Sequence, residues 1–306
     1  MSRIAPLLVA LVLASACGDD SAVAAGQRSV SWLAAGDSFS SAEGIPGAQG
    51  DCARSQMAYA PLARDELADE LDITEFALVA CTAAKLHHFD DQLAEALEGR
   101  TDDRRFELVT ITLAGNDAGF EAVLFDCLGL ELNEAAQTVL SALLGTAGAE
   151  CDVGRDELIE RVESLEPRLV DLYRRLSDDV VTADGAVIVL GYSHLWADPE
   201  GWASDPADRC EGMRAEDVET VRAVVARLNE TMERATRAVD RVSFLDVRGI
   251  FDGHELCDDD EYMNGLIAGV ANRTFRVQGS YHPNAAGQRA MADLLVDEIR
   301  RIWELE

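Results

Sequence analysis

Three short polar motifs in the sequence carry the side chains that nucleophilic hydrolysis needs. They are Gly36-Asp37-Ser38, Gly115-Asn116-Asp117 and Tyr281-His282-Pro283-Asn284. A serine hydroxyl becomes an effective nucleophile when a neighbouring base removes its proton. The charged oxygen that then forms on the substrate needs hydrogen-bond donors, and an asparagine amide is one of them. The sequence therefore predicts that a serine, a histidine and an asparagine act together, provided that the fold brings these distant positions to one place.

The elements that must position these motifs are indicated by five short apolar runs with helix-period stretches between them. Such runs are typical of parallel strands that are buried on both faces. The predicted strands lie at residues 30–35, 76–81, 108–113, 186–190 and 242–247. The predicted helices lie at residues 57–71, 86–98, 132–145, 155–178, 214–240 and 285–304. Because no internal repeat or interdomain linker interrupts this alternation, it predicts one α/β domain.

Each polar motif falls at a place where an α/β protein exposes functional groups. Ser38 follows the first predicted strand, Asn116 follows the third, and His282 comes just before the last helix. In open α/β sheets, functional residues collect at the carboxyl ends of the strands. We therefore expect these three side chains to meet at one edge of the sheet.

The three motifs, in this order, resemble the first, third and fifth sequence blocks of the SGNH (GDSL-type) hydrolases. The likeness extends over residues 30–300 and is strongest to the exported, three-disulfide bacterial esterases and lipases. It implies a three-layer α/β/α sandwich with a central, mainly parallel five-stranded sheet. It also implies that Ser38 is the nucleophile and an oxyanion donor through its N–H, that Asn116 is a further donor, and that His282 is the base.

The second block departs from the pattern of that branch. The branch usually has Cys-Ser-Gly-Ala, whereas this sequence has Cys81-Thr82-Ala83-Ala84, so Ala83 replaces the glycine whose N–H contacts the oxyanion. Alanine keeps the N–H but tolerates a positive φ poorly. We expect Ala83 to donate if its backbone lies in an ordinary region.

A second departure concerns the acid of the usual triad. Most of the superfamily has Asp three residues before the catalytic histidine, and Gly279 stands there in this sequence. The acid normally fixes the histidine tautomer and stabilises the imidazolium. We expect a Ser38–His282 dyad in which the backbone carbonyl of Gly279 orients the imidazole. The alternative is a carboxylate from the acidic loop, where the candidates are Asp258, Asp259, Asp260 and Glu261.

Other residues of catalytic type have simpler interpretations. Ser193 follows the fourth strand in a sequence that imitates a nucleophile elbow, but Leu195 replaces the second glycine of that motif. We expect Ser193 to shape the pocket wall. Asp37 and Asp117 stand beside turns, where a short carboxylate accepts backbone N–H bonds. The remaining histidines are expected to be structural or exposed; they are His87, His88, His194 and His254.

Seven cysteines are present, and Cys17 belongs to the N-terminal segment discussed below. The other six are even in number, which predicts three disulfides in an exported chain. Six cysteines can pair in fifteen ways, and the sequence alone favours the sequential pairing only weakly. The resemblance implies the sequential pairing, Cys52–Cys81, Cys127–Cys151 and Cys210–Cys257. No Cys-x-x-Cys pair or other ligand spacing indicates a metal, and no cofactor is expected.

The N-terminus has the features of an export signal. Arg3 is followed by an uncharged stretch at 4–16 that is too short to span a bilayer as a helix. We expect a signal peptide at 1–16, a tether at 17–27 and the hydrolase domain at 28–306. Cys17 lies in a sequence that resembles a lipoprotein box, so it is a candidate for lipidation. The alternative is plain secretion, with cleavage after Ala16 or near residues 22–24.

The charge of the chain limits its partners. With 57 acidic and 26 basic residues among 306, the net charge is −31, which repels nucleic acid and anionic membranes. Membrane association is expected only through a lipid anchor at Cys17, and the protein is expected to be a monomer. Together these features predict an exported serine esterase or lipase that acts on small-molecule or lipid esters. The alternatives are an acyl-carbohydrate esterase, a phospholipase A1, or a catalytically silent domain that binds an ester or a glycan.

Overall fold

The computed structural model describes residues 27–99, 105–119, 154–200, 210, 215–265, 267, 269–271, 274–276 and 279–305. Several predictions concern positions outside these ranges. They are the signal peptide, almost all of the tether, lipidation of Cys17, the helix at 132–145 and the Cys127–Cys151 disulfide.

A five-stranded sheet forms the centre of the molecule. Its strands are β1 (Arg28–Gly36), β2 (Leu71–Leu78), β3 (Phe106–Thr112), β4 (Val181–Leu190) and β5 (Val242–Leu245). They are arranged in the order β2-β1-β3-β4-β5, and every neighbouring pair is parallel. Two short strands, β6 (Gly269–Ala271) and β7 (Thr274–Arg276), form a separate antiparallel pair. The predicted parallel sheet of five strands is confirmed.

Helices cover both faces of this sheet. Three short helices follow strands at the sheet edge: α1 (Ser38–Ser41), α4 (Gly115–Ala118) and α8 (Arg248–Phe251). The longer helices are α2 (Tyr59–Glu66), α3 (Phe89–Ala96), α5 (Arg155–Glu163), α6 (Glu166–Arg175), α7 (Ala215–Arg237) and α9 (Ala285–Trp303). Helix α9 packs against α2, whereas α5 and α6 pack against α7. Because crossovers between parallel strands are right-handed, the α2 connection lies on the face opposite to the connections that lead through β3 to β5. The predicted three-layer α/β/α sandwich is thus confirmed.

The strand order places a topological switch point at the centre of the sheet. From β1 the chain first moves outward to β2 and then returns to β3 on the other side of β1. The crevice between the carboxyl ends of β1 and β3 is where open α/β sheets bind ligands. Ser38 follows β1 and Asn116 follows β3, so both residues lie beside this crevice.

Some predicted boundaries differ from the observed ones. Strand β2 begins and ends earlier than the predicted strand at 76–81, because it is an edge strand whose first half alternates with exposed charged residues such as Asp72. Its buried continuation still bonds to β1, since the Val79 N–H donates to the Ala34 carbonyl at 2.9 Å. The predicted helix at 155–178 is two helices. Pro167 lies in the first turn of α6, a position that suits proline because it has no N–H to donate.

Candidate active site

Ser38 is the first residue of α1, directly after β1, and a tight backbone turn places it there. Gly36 has a φ of +128°, and a Cβ on it would lie 2.4 Å from the carbonyl oxygen of Thr112. This close approach lets the Asp37 N–H donate to the same carbonyl at 2.8 Å, which ties the ends of β1 and β3 together. The Asp37 side chain then caps α1 by accepting from the Phe39 N–H. Glycine is therefore required at position 36 for the serine to reach the sheet edge.

The structure brings His282 to Ser38 although 244 positions separate them in the sequence. The two atoms that meet are His282 Nε2 and Ser38 Oγ, at 2.7 Å. On the other side of the ring, Nδ1 is 2.7 Å from the backbone carbonyl oxygen of Ser280. A carbonyl only accepts hydrogen bonds, so Nδ1 carries the proton and Nε2 accepts from the serine hydroxyl. This is the tautomer that a general base needs.

The carbonyl that orients the imidazole belongs to Ser280, so the prediction of Gly279 is wrong by one position. Tyr281 has a left-handed φ of 60°, which folds the chain so that the carbonyl of residue 280 meets the ring of residue 282. Gly279 itself has a φ of +86°, and a Cβ there would lie 2.4 Å from Gly44 Cα. No side chain fits at position 279 without displacing the Gly44 backbone. The close packing of these two glycines explains why this chain has no acid in the usual place.

The four acidic-loop candidates do not replace that acid. Asp258 accepts from the Glu255 N–H, Glu261 accepts from the Cys257 N–H, and Asp260 is paired with His254. All four lie in the described part of the chain, and none of them is within 4.0 Å of the His282 ring nitrogens.

The carboxylate that does approach His282 is Glu43, which sequence reasoning missed. Its Oε2 lies 3.9 Å from His282 Nε2, and the residue is 6% exposed. It also accepts a short hydrogen bond from the Thr82 hydroxyl. One sequence signal was available, because Glu43 is the only charged residue between Ser38 and Gly50.

The three groups predicted to donate to a substrate oxyanion are the N–H groups of Ser38 and Ala83 and the side-chain amide of Asn116. The N–H groups of Ser38 and Ala83 donate to no backbone carbonyl within the described residues. Ala83 has a φ of 56°, so the condition on which its role was predicted, an ordinary backbone region, is not met; alanine instead adopts the conformation that glycine favours. Asn116 Nδ2 donates one hydrogen to the Ala84 carbonyl at 3.0 Å and retains a second hydrogen.

A buried polar network connects the residues next to Ser38 with those next to Asn116. The Tyr192 hydroxyl donates to Asp37 Oδ2 at 2.5 Å and accepts from the Gly115 N–H at 2.8 Å. It therefore joins the serine motif to the asparagine motif. Burial raises the pKa of Asp37 to about 7 and that of Tyr192 well above its usual value.

Asp117 accepts from the Leu86 N–H and from Arg168. Both aspartates thus accept backbone N–H bonds as expected.

None of the other candidates, all of them in described parts of the chain, is hydrogen-bonded to Ser38 Oγ or to the ring of His282. Ser193 is fully buried, and its hydroxyl contacts the Met263 sulfur at 3.5 Å. His254 stacks on Tyr262, with 3.9 Å between the ring centroids. Burial lowers the pKa of His194 to about 4. His87 and His88 directly precede α3, and their rings contact each other.

Two of the three predicted disulfides lie in the described part of the chain, and both are present. They are Cys52–Cys81 and Cys210–Cys257. The first closes a loop over 29 positions, which contributes about 3–4 kcal/mol in the chain-entropy model. Because Thr82 and Ala83 follow Cys81 directly, this disulfide also holds the segment that carries Ala83, a predicted oxyanion donor. The adjacent Thr82 N–H donates to the Cys52 carbonyl at 3.2 Å.

None of the described helices has the length and apolar character that crossing a bilayer requires. Within the same residues, His, Cys, Asp and Glu side chains form no group of three that could hold a metal ion.

Comparison with known proteins points to one family. The model of the GDSL-like lipase/acylhydrolase family matches residues 34–290. A lipase of Streptomyces rimosus is 28% identical over 296 residues, which cover 94% of this chain and 95% of the lipase. Lipase 1 of Streptomyces coelicolor is 28% identical over 264 residues, which cover 84% of this chain and 82% of that protein.

Solved structures show the same fold. The extracellular lipase of Streptomyces rimosus aligns with a TM-score of 0.63 and 23% identity, covering 88% of this chain and 99% of the lipase. Phospholipase A1 of Streptomyces albidoflavus aligns with a TM-score of 0.60 and 23% identity, covering 88% of this chain and 98% of the phospholipase. Since the family model spans most of the sequence, this protein belongs to the GDSL-like lipase/acylhydrolase family and is a carboxylic ester hydrolase.

Proposed function

We propose that the protein hydrolyses its ester through an acyl-enzyme formed on Ser38. The observation that carries this proposal is the 2.7 Å contact between Ser38 Oγ and His282 Nε2. In the first half-reaction, Oγ attacks the ester carbonyl carbon while Nε2 takes the hydroxyl proton. Collapse of the tetrahedral intermediate breaks the bond to the alcohol oxygen, and Nε2 returns the proton to that oxygen. In the second half-reaction, water attacks the acyl group by the same proton transfers and releases the acid and free Ser38.

The Ser280 carbonyl holds the imidazole in the tautomer that this cycle requires. With Nδ1–H bound to that carbonyl at 2.7 Å, the lone pair of Nε2 points to the serine hydroxyl. The carbonyl dipole also stabilises part of the positive charge on the protonated ring. The reaction in this proposal thus runs with a Ser38–His282 dyad and a backbone acceptor in place of the usual aspartate.

The proposed oxyanion donors are the N–H groups of Ser38 and Ala83 and the Asn116 amide. Ser38 heads a helix, where the first N–H groups have no intrahelical acceptor. Ala83 is held in a left-handed conformation beside the Cys52–Cys81 disulfide. The hydrogen bond from Asn116 to the Ala84 carbonyl ties the Asn116 side chain to the segment that carries Ala83. Donors fixed in advance stabilise the transition state without reorganising during the reaction.

For the substrate, we propose an ester presented outside the cell. Disulfides are typical of oxidising compartments, and the similar lipase of Streptomyces rimosus is an extracellular lipase. In this proposal, residues 1–16 direct export and residues 17–27 form a tether. Lipidation of Cys17 would hold the enzyme at a membrane surface that its net charge of −31 would otherwise avoid.

Esters of p-nitrophenol with acyl chains of increasing length test the proposal. The wild type is expected to release p-nitrophenol with a chain-length optimum that separates an esterase from a lipase. Ser38→Ala is expected to lose activity by at least about 10³-fold. Ser193→Ala is the matched control, because Ser193 also follows a strand but is fully buried, with its hydroxyl against the Met263 sulfur, and is not hydrogen-bonded to Ser38 or His282; its activity is expected to stay within a few-fold of the wild type. An active Ser38→Ala variant would contradict the mechanism, and no turnover of any ester by the wild type would favour a silent binding domain.

A further inference from the structure

Glu43 is a buried carboxylate that the mechanism above does not use. The residue is 6% exposed and lies in the turn after α1, where its N–H donates to the Ser38 carbonyl at 3.0 Å. Its Oε2 lies 3.9 Å from His282 Nε2 and accepts from the Thr82 hydroxyl. Among the described residues, no Lys or Arg pairs with it within 4.0 Å. A buried charge without a Lys or Arg partner is unfavourable. The position of the Glu43 carboxylate beside the imidazole therefore calls for a functional explanation.

The location of Glu43 follows from the same packing that removes the usual acid. Gly44, the next residue, lies so close to Gly279 that a Cβ at either position would come within 2.4–2.8 Å of the other glycine. The turn at residues 43–44 therefore occupies space next to the segment that carries the triad acid in most of the superfamily. The same turn delivers a carboxylate to the Nε2 side of the ring.

A triad acid has two functions: it fixes the histidine tautomer and it stabilises the imidazolium. In this site different groups can perform them. The Ser280 carbonyl fixes the tautomer, but as a neutral dipole it stabilises the imidazolium less than a carboxylate does. Among the residues that the structure describes, the groups recorded in contact with the ring are the Ser280 carbonyl, the Ser38 hydroxyl, the Phe39 ring and Glu43. Of these, only Glu43 carries a negative charge. An opposite charge within about 4–6 Å favours the charged form of a titratable group by about one to three powers of ten.

We propose that Glu43 is a positioning residue that stabilises the imidazolium of His282, supplying the charge that the usual aspartate supplies from the other side of the ring. The charge matters only after Nε2 has taken the serine proton, so Glu43 acts on the transition state and not on substrate binding. The proposal rests on the Ser38–His282 mechanism given above. Glu43 and its hydroxyl donor Thr82 form one unit, but the stabilising effect belongs to the carboxylate.

Kinetics of three Glu43 variants separate charge from shape. Glu43→Gln keeps the size of the side chain and an oxygen that accepts from Thr82, but it removes the charge. We expect kcat for a p-nitrophenyl ester to fall about 10- to 100-fold with KM nearly unchanged. In Glu43→Ala, kcat should fall as far as in Glu43→Gln. In Glu43→Asp, which keeps the charge, kcat should lie between those of Glu43→Gln and the wild type. If Glu43→Gln retains the wild-type kcat, or exceeds it because the carboxylate mainly repels the oxyanion, the proposal is wrong.

Two further measurements distinguish an effect of the Glu43 charge from a purely structural effect. Thr82→Val removes the hydroxyl that anchors the carboxylate, so it should lower kcat in part. Glu43→Gln added to Thr82→Val should lower kcat further, and no further loss would assign the effect to anchoring of the Ala83 segment and contradict the proposal. A trifluoromethyl ketone traps Ser38 as a charged tetrahedral adduct opposite a protonated histidine, so its affinity should fall by the same factor as kcat in Glu43→Gln. An unchanged affinity would contradict the proposal. Ser38→Ala distinguishes the two proposals, because its inactivity upholds the mechanism whatever Glu43→Gln does.

Discussion

Replacing Gly279 with alanine should destabilise the fold and the site together. Gly279 has a φ of +86°, and its Cβ would lie 2.4 Å from Gly44 Cα and 3.0 Å from Gly44 N. A left-handed conformation costs a non-glycine residue about 1–2 kcal/mol. The atoms that the Cβ would meet are backbone atoms, which cannot rotate away, and such overpacking adds about 1–3 kcal/mol. The free energy of unfolding should therefore fall by about 2–5 kcal/mol relative to the wild type.

Gly47→Ala is the control that separates these two contributions. Gly47 has a similar φ of +90°, but a Cβ there would meet no atom within 4 Å. Gly47→Ala should lower the free energy of unfolding only by the cost of the left-handed conformation, about 1–2 kcal/mol. Urea unfolding of both variants and the wild type gives the midpoints, and equal slopes show that the change lies in stability. The difference between the two alanine variants is the effect of the contact with Gly44.

The same pair of variants tests the link between packing and catalysis. If the Gly44 backbone must move to make room, the carboxylate of Glu43 and the imidazole of His282 move with their segments. A shift of about 1 Å in a catalytic group costs about 100-fold in rate. We expect kcat/KM to fall by that order in Gly279→Ala and to stay near the wild-type value in Gly47→Ala. Equal losses of stability in the two variants, or full activity in Gly279→Ala, would refute the reasoning.

Three further outcomes are expected. Asn116→Ala should lower kcat about 10²- to 10³-fold with little change in KM in steady-state kinetics, because it removes a proposed oxyanion donor. Tyr192→Phe should lower the free energy of unfolding by about 1–3 kcal/mol in urea titrations, because the buried Gly115 N–H and Asp37 lose their shared partner. Burial raises the pKa of Asp37 from 3.8 to about 7, so its contribution to stability is largest below pH 4 and declines as the pH rises to about 7. Asp37→Asn should therefore show a flatter dependence of the urea midpoint on pH between 4 and 7, and a dependence as steep as that of the wild type would contradict this assignment.

The residues proposed to perform the chemistry could be identified as candidates because each stands at a recognisable place in the sequence. Buried strands have an apolar pattern, and a polar motif after such a strand must lie at the sheet edge. Ser38 and Asn116 were found in this way. His282 was found from its motif before the last helix, where Asn284 caps α9 by accepting from two backbone N–H groups.

What escaped prediction depends on backbone geometry and long-range packing. The orienting carbonyl belongs to Ser280 and not to Gly279, because Tyr281 adopts a left-handed conformation that its residue type does not favour. Ala83 likewise keeps a positive φ. Glu43 reaches His282 only because two glycines, Gly44 and Gly279, pack against each other across 235 positions of sequence. No local pattern encodes that contact, although a lone charge in an uncharged segment after a nucleophile is a signal worth examining.

The edge strand β2 illustrates a different limit. Its first residues alternate between buried and exposed, and they include charged side chains that mask the strand pattern. Apolar runs identify strands that are covered on both faces, whereas an edge strand has one side open to solvent and tolerates charge there. The central strands were accordingly predicted more accurately than β2.

Covalent labelling tests the central claim most directly. A fluorophosphonate reacts with the activated serine of a hydrolase, and mass spectrometry of the digested protein identifies the peptide that carries the phosphonyl group. We expect one modification, on Ser38, with complete loss of esterase activity at one equivalent of label. Labelling should be absent in Ser38→Ala and strongly slowed in His282→Ala. A label on Ser193 or any other residue, or full activity in a protein labelled at Ser38, would contradict the assignment of Ser38 and His282 as nucleophile and base.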